Sequence, residues 1–135
     1  MGYTYSDWAA NLKTRKSVGG CIFRLGYTNW NQELVTSRLV HWQAKSQSVV
    51  SLFTLEAEYI ASSHATRESH WIQRILEEVA TTMSINISKG LVLIGCDNQG
   101  AIMLIISGVV KQTSKHIDAK YHHVHNEQTK QSVNF

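Results

Sequence analysis

The sequence predicts an α/β domain built on one mixed central sheet, with a long helix on one face. Three observations carry this. Leu55 to Val79 repeats apolar residues at helical spacing, Leu91 to Cys96 is an unbroken apolar run, and several short extended segments precede both. Strands, then a helix, then a strand apolar enough to be buried on both faces is the order of an α/β sandwich around one sheet. The chain has 135 residues, 43% apolar and 17% charged, which suits a single domain with a real core and excludes wholesale disorder.

In chain order, Gly2 to Tyr5 is a short extended segment, followed by a polar bend through Asn11, Lys13 and Lys16. Gly19-Gly20 leads into Cys21 to Leu25, a mainly apolar run stopped by Gly26, which reads as a strand. Leu39 to Trp42 and Ser48 to Ser51 read as two more extended pieces, and polar Tyr27 to Arg38 as a long hairpin connection. The helix over 55–79, capped by Thr54, sets Ala57, Ile60, Ala61, Ala65, Trp71, Ile72, Ile75, Leu76 and Val79 on one stripe. Thr81 to Gly90 is a polar link to the apolar strand that ends at Asp97. Ala101 to Ile106 predicts a short helix and Lys115 to Gln128 a more polar one.

Thirteen Lys and Arg against ten Asp and Glu give a net charge of +3. After Leu104 the chain carries Lys111, Lys115, Lys120 and Lys130 against Asp118 and Glu127, so the C-terminal fifth is the basic part. This suits an anionic partner without requiring nucleic acid; a solvated polar face accounts for it equally well. No apolar run approaches a membrane span, and residues 1–10 lack the form of a signal peptide. The expected location is intracellular, cytoplasmic or nuclear, with no membrane partner. Cys21 and Cys96 both lie in strand-like contexts and read as reduced core thiols.

The chain has only three Asp, at 7, 97 and 118. Asp97 follows six apolar residues at the carboxyl end of a strand, where ligand sites of open α/β sheets collect. Its charge must reach solvent or meet a cation, or else the side chain caps the following helix; both readings stand. His116, His122, His123 and His125 lie close in sequence, but zinc needs four placed ligands and neither Cys is near them, so they read as part of a polar helix. Trp30, Trp42 and Trp71 could stack on bases, yet Trp71 lies on the apolar stripe and reads as core.

Four longer segments together resemble a known family. They are Trp42 to Val50, Thr54-Leu55-Glu56-Ala57-Glu58-Tyr59-Ile60-Ala61, Cys96-Asp97-Asn98-Gln99-Gly100-Ala101-Ile102, and Lys115-His116-Ile117-Asp118-Ala119-Lys120-Tyr121-His122. With the opening Gly2-Tyr3-Thr4 and Asp7-Trp8-Ala9, their order is similar to the ribonuclease H region of Ty1/copia-type retrotransposon Pol polyproteins. The resemblance implies a ribonuclease H-like fold: an antiparallel meander, a long helix, then a parallel fourth strand beside the first. It implies hydrolysis of RNA in RNA:DNA hybrids with two Mg²⁺ (or Mn²⁺) ions held by acidic side chains. It also implies reverse transcriptase and integrase of the same polyprotein as partners. Hard cations of this kind prefer oxygen, and two of them clamp the attacking and leaving oxygens.

Carried over residue by residue, the resemblance places metal-binding carboxylates at Glu58 and Asp97. Glu58 is preferred to Glu56 because Glu58-Tyr59-Ile60-Ala61 better matches the family pattern and lies about 20° from Ala65 around the helix, at the edge of the buried stripe. Glu56 is then a first-turn carboxylate favoured by the helix dipole. The first-strand Asp of the family falls on Tyr5, a poor Mg²⁺ ligand, and Asp7 is the candidate to replace it. Residues 1–128 are expected to form the domain, without the last strand and helix and their carboxylate, and 129–135 a tail. The expected function is therefore impaired hydrolysis, or alternatively a catalytically inactive module that binds nucleic acid or protein.

Overall fold

A computed structural model describes residues 1–29, 31, 34–86, 92–107, 123–130 and 133–135. Strands β1 (Gly2–Asp7), β2 (Val18–Thr28) and β3 (Leu34–Ser46) come first, then helix α1 (Thr54–Met83), strand β4 (Val92–Cys96) and helix α2 (Gln99–Ser107). A last helix, α3, spans 123–129 and is followed by strand β5 (Val133–Asn134). The sheet order is β3-β2-β1-β4-β5. β1 to β3 form antiparallel neighbours, while β4 pairs parallel with β1 through Gly2↔Ile94, Tyr3↔Gly95 and Thr4↔Cys96. The mixed sheet is as the sequence predicts, but β1 and not β4 is its central strand, and β4 is buried on one face only, Leu93 on the other being 37% exposed.

β1, β2 and β4 alternate faces, and the residues on one face meet α1. A Cβ placed on Gly19 would lie 3.3 Å from Ala61 Cβ, which shows how closely β2 and α1 approach. The core on this side joins Cys21, Phe23, Ala65, Ile94 and Val133, with Phe135 packed against it. A second cluster, Tyr59, Ile105 and Val124, ties α2 and α3 to α1. Both thiols are free. No described helix is long and apolar enough to cross a membrane.

Several expectations need correction. Tyr27 to Arg38 is mostly strand, because β2 and β3 continue as a two-stranded ribbon paired through Leu25↔Arg38 and Tyr27↔Thr36. Apolar periodicity was absent there because a ribbon projecting from the sheet has no face to bury. Leu39 to Trp42 is the middle of this long strand. Ser48 to Ser51 is a loop, held by the buried Gln47 amide, which donates to Ala57 O at 2.9 Å and accepts from Ser51 Oγ at 2.8 Å.

The N-cap position of α1 is Phe53, without a side-chain bond, so Thr54 is already helical. Glu56 in the first turn instead accepts the Leu52 N–H at 2.7 Å, which ties the incoming loop to the helix start. Trp71 is 54% exposed and meets His41 edge-on, and Ile75 and Val79 are exposed as well. Trp71 lies about 100° round the helix from Ile72, which is the residue that packs against the core. The missing last strand is also overturned. Val133 and Asn134, read as tail, pair parallel with Val92 and Leu93 and cover the edge of β4. Of the helix expected over Lys115 to Gln128, the part before residue 123 lies outside the described residues, as do Trp30, His116 and His122.

Ile94 is 1% exposed at the centre of the sheet, whereas Leu93 on the other face is 37% exposed. Ile94→Ala is therefore expected to cost about 2–5 kcal/mol in chemical denaturation, and Leu93→Ala clearly less. Equal losses would contradict the assignment of faces.

Candidate metal centre

The parallel β1–β4 pair and α1 bring three side chains together. Ligand atoms of Glu58, Cys96 and Asp97 all lie within 4.8 Å of one another. Asp97 follows β4 at its carboxyl end and is exposed, whereas Glu58 on α1 is 7% exposed. Glu58 Oε1 accepts the Ser6 backbone N–H at 2.9 Å, which fixes its rotamer across the helix–sheet contact. Glu58 Oε2 is buried with no hydrogen-bond partner.

The electrostatics follow from this packing. Burial pushes the Glu58 carboxyl above its ordinary 4.5, the Ser6 N–H opposes the shift, and the nearby Asp97 charge adds to it. Burial likewise raises the Cys96 thiol, opposed by its bonds to Asn98 and Ser62 and reinforced by Glu58 and Asp97. Cys96 therefore remains a thiol at neutral pH, a soft and weak donor beside two carboxylates. Two carboxylates with an orphaned buried oxygen between strand end and helix fit one hard divalent cation.

The two readings of Asp97 separate here. Asn98 is the residue that caps α2, its Oδ1 accepting the Ala101 N–H at 2.9 Å, so Asp97 is left to face the carboxylate site. The two readings of the helix acids separate too, since Glu56 is occupied with Leu52. Asp7 is exposed and is not brought into the cluster. Tyr5 lies with its ring across Gly20, where an added Cβ would sit 2.5 Å from it, on the sheet face opposite α1. His123 tilts against the His70 ring and His125 bonds Ile105 O through Nδ1, so both fasten α3 to its neighbours. Neither joins a metal-ligand cluster among the described residues.

Sequence reasoning missed Ser6, Ser62 and Cys96. Ser62 stands four residues after Glu58, hence on the same helix face, and Cys96 directly precedes Asp97. A backbone donor such as Ser6 N–H leaves no mark in a sequence.

Comparison with known proteins follows the same lines. A retrovirus-related Pol polyprotein from transposon TNT 1-94 of Nicotiana tabacum is 33% identical over 121 residues, 90% of this chain. Those from transposons RE1 and RE2 of Arabidopsis thaliana are each 30% identical over 93% of it. The chain is related to one segment of transposon Pol polyproteins. It spans 8% of the length of these relatives. Part of this Pol-related segment, 72 residues, is also 35% identical to a secreted RxLR effector protein of Plasmopara viticola, covering 44% of that protein. No protein-family model matches the chain, and no solved structure matches it significantly.

The raised Glu58 pKa has a defined consequence for stability. The folded state disfavours ionised Glu58, so its contribution is fully present below the ordinary value of 4.5 and is lost as pH rises through the raised folded value. Thermal unfolding across the acid-to-neutral range should show wild type falling behind Glu58→Gln as pH increases. A constant difference between the two would show that Glu58 ionises freely in the fold.

Proposed function

We propose that this chain is the ribonuclease H-like domain of a copia-type retrotransposon Pol polyprotein, with impaired hydrolysis of RNA in RNA:DNA hybrids. The observation that carries the reading is the Glu58–Asp97 pair at the carboxyl ends of β1 and β4. The meander, the long helix and the parallel β4 beside β1 support it, as does β5 at the outer edge of β4. So does the kinship with transposon Pol polyproteins.

Glu58 and Asp97 would hold Mg²⁺ or Mn²⁺, Glu58 through its unpartnered Oε2. When bound, such a cation polarises a phosphoryl oxygen and lowers the pKa of water. Asp97, exposed at the strand end, faces the solvent from which a substrate phosphate arrives, while Ser6 N–H holds Glu58 in place. A second ion lacks a comparable pair among the described residues, since Asp7 stays outside the cluster. This favours, as a second reading, a module that binds the hybrid without cutting it. Reverse transcriptase and integrase of the same polyprotein are its proposed partners.

Two outcomes test this. Calorimetric titration should show Mn²⁺ binding to wild type that Asp97→Asn and Glu58→Gln remove; retention by both variants would place the cation elsewhere. In single-turnover cleavage of a labelled hybrid, wild type should be weak and Tyr5→Asp should stay weak, because residue 5 lies on the sheet face opposite α1 and Glu58. Robust wild-type cleavage abolished by Asp7→Asn would overturn the impaired reading.

A further inference from the structure

Cys96 belongs to the same cluster as Glu58 and Asp97 and takes no part in the hydrolytic chemistry proposed above. The chain has two cysteines, and the other, Cys21, is 2% exposed in the sheet core. Cys96 is half-buried at the last position of β4. It stands two residues after Ile94 and so on the same sheet face, toward α1. Its Sγ accepts from Ser62 Oγ on that helix at 4.0 Å. The sulfur is therefore turned to the side from which Glu58 approaches the sheet.

A thiol beside two acids is common without a metal. What points to a ligand is Glu58, 7% exposed, whose Oε2 is buried without a partner while the Ser6 N–H holds Oε1. Three ligand atoms within 4.8 Å of one another share a centre no more than about 2.8 Å (4.8/√3) from each. Zn²⁺ bonds thiolate sulfur at about 2.3 Å and carboxylate oxygen at about 2.0–2.2 Å, so closure on it takes movements of about 0.5–0.7 Å. Asp97 is exposed at the strand end and can supply them. Mg²⁺ asks instead for an octahedron of oxygens and keeps several waters, so the sulfur offers it nothing.

We propose that Glu58, Cys96 and Asp97 form a three-ligand site for a thiophilic dication, Zn²⁺, which holds the site against Mg²⁺ and Mn²⁺ and so blocks hydrolysis. Three protein ligands of mixed sulfur and oxygen with a fourth position open to water suit tetrahedral Zn²⁺, and Zn²⁺ outranks Mn²⁺ for such donors. On binding, the Sγ–H bond gives way to a Zn–S bond and the proton passes to water. Ser62 Oγ donates to the sulfur and Ser6 N–H to Glu58 Oε1, which orients both ligands from behind. The inference rests on Glu58 and Asp97 being a cation site, as proposed above, and adds the sulfur that decides which cation wins.

Cd²⁺ bonds sulfur as Zn²⁺ does and shows the bond as ultraviolet charge-transfer absorption. Titrated into the full chain under a thiol-free reductant, Cd²⁺ should give a band that saturates at one equivalent. Cys96→Ser should abolish the band, and Cys21→Ala should keep it. Asp97→Asn should keep the band but bind Cd²⁺ at least about tenfold more weakly, the loss that removing even an outer partner of a metal ligand brings. In calorimetry, one equivalent of Zn²⁺ should abolish Mn²⁺ binding to wild type, whereas Mn²⁺ in excess should displace Zn²⁺ from Cys96→Ser. Absence of the band in wild type, its survival in Cys96→Ser, or unchanged Cd²⁺ affinity in Asp97→Asn overturns the site. Mn²⁺ binding to wild type without a Cd²⁺ band overturns the thiolate ligand and leaves the carboxylate pair standing. A Cd²⁺ band in a chain that never binds Mn²⁺ supports the thiophilic site and counts against the hydrolytic function.

Discussion

A carboxylate buried between a helix and a strand is the constraint on which much of this structure turns. Glu58 is 7% exposed, and its one hydrogen bond crosses 52 residues of sequence to the Ser6 N–H. A buried acid with one satisfied oxygen is costly unless it is protonated or neutralised by a cation. It persists because the surrounding contacts are close. Gly19 lets β2 approach Ala61, Thr4 stands opposite Cys96, and Gln47 binds the Ala57 carbonyl one residue before Glu58. The Gly19–Ala61 and Gln47–Ala57 contacts fix α1 against the sheet at the same end, so the helix cannot withdraw to hydrate the acid without breaking them.

The same constraint divides the labour among neighbouring polar residues. Glu56, two positions earlier, faces away from the sheet and satisfies the Leu52 N–H at the helix start. Asn98, one position after Asp97, satisfies the start of α2. Backbone donors at both helix ends are thus met by residues adjacent to the two carboxylates, and the carboxylates themselves remain unengaged by structural duty apart from Ser6. This separation is what makes a cation at Glu58 and Asp97 chemically reasonable, since an acid already spent on capping has fewer lone pairs to offer.

Much of the fold was legible in the residues. The start of α1, the apolar β4 and the short α2 each follow from local periodicity, whereas the parallel place of β4 beside β1 was legible only through the family resemblance. The β2–β3 ribbon was misread because strand pairing away from the core leaves no apolar alternation to detect, and Trp71 because helical periodicity does not fix how α1 is rotated over the sheet, which puts Ile72 and not Trp71 against the core. Val133 and Asn134 are too few to register as a strand, and they become one only by lying beside Val92 and Leu93.

By itself the sequence determined the order of elements and the placement of Asp97 at a strand end, because both depend on neighbours within a few residues. Only the tertiary structure decided that Glu58 meets Asp97, that Asp7 stands apart and that Tyr5 covers Gly20. It also decided that Lys45 and His64 line one cavity, although 19 positions separate them along the chain. These are relations between residues distant along the chain. They are set by strand register and by the rotation of α1 over the sheet, neither of which a local pattern encodes.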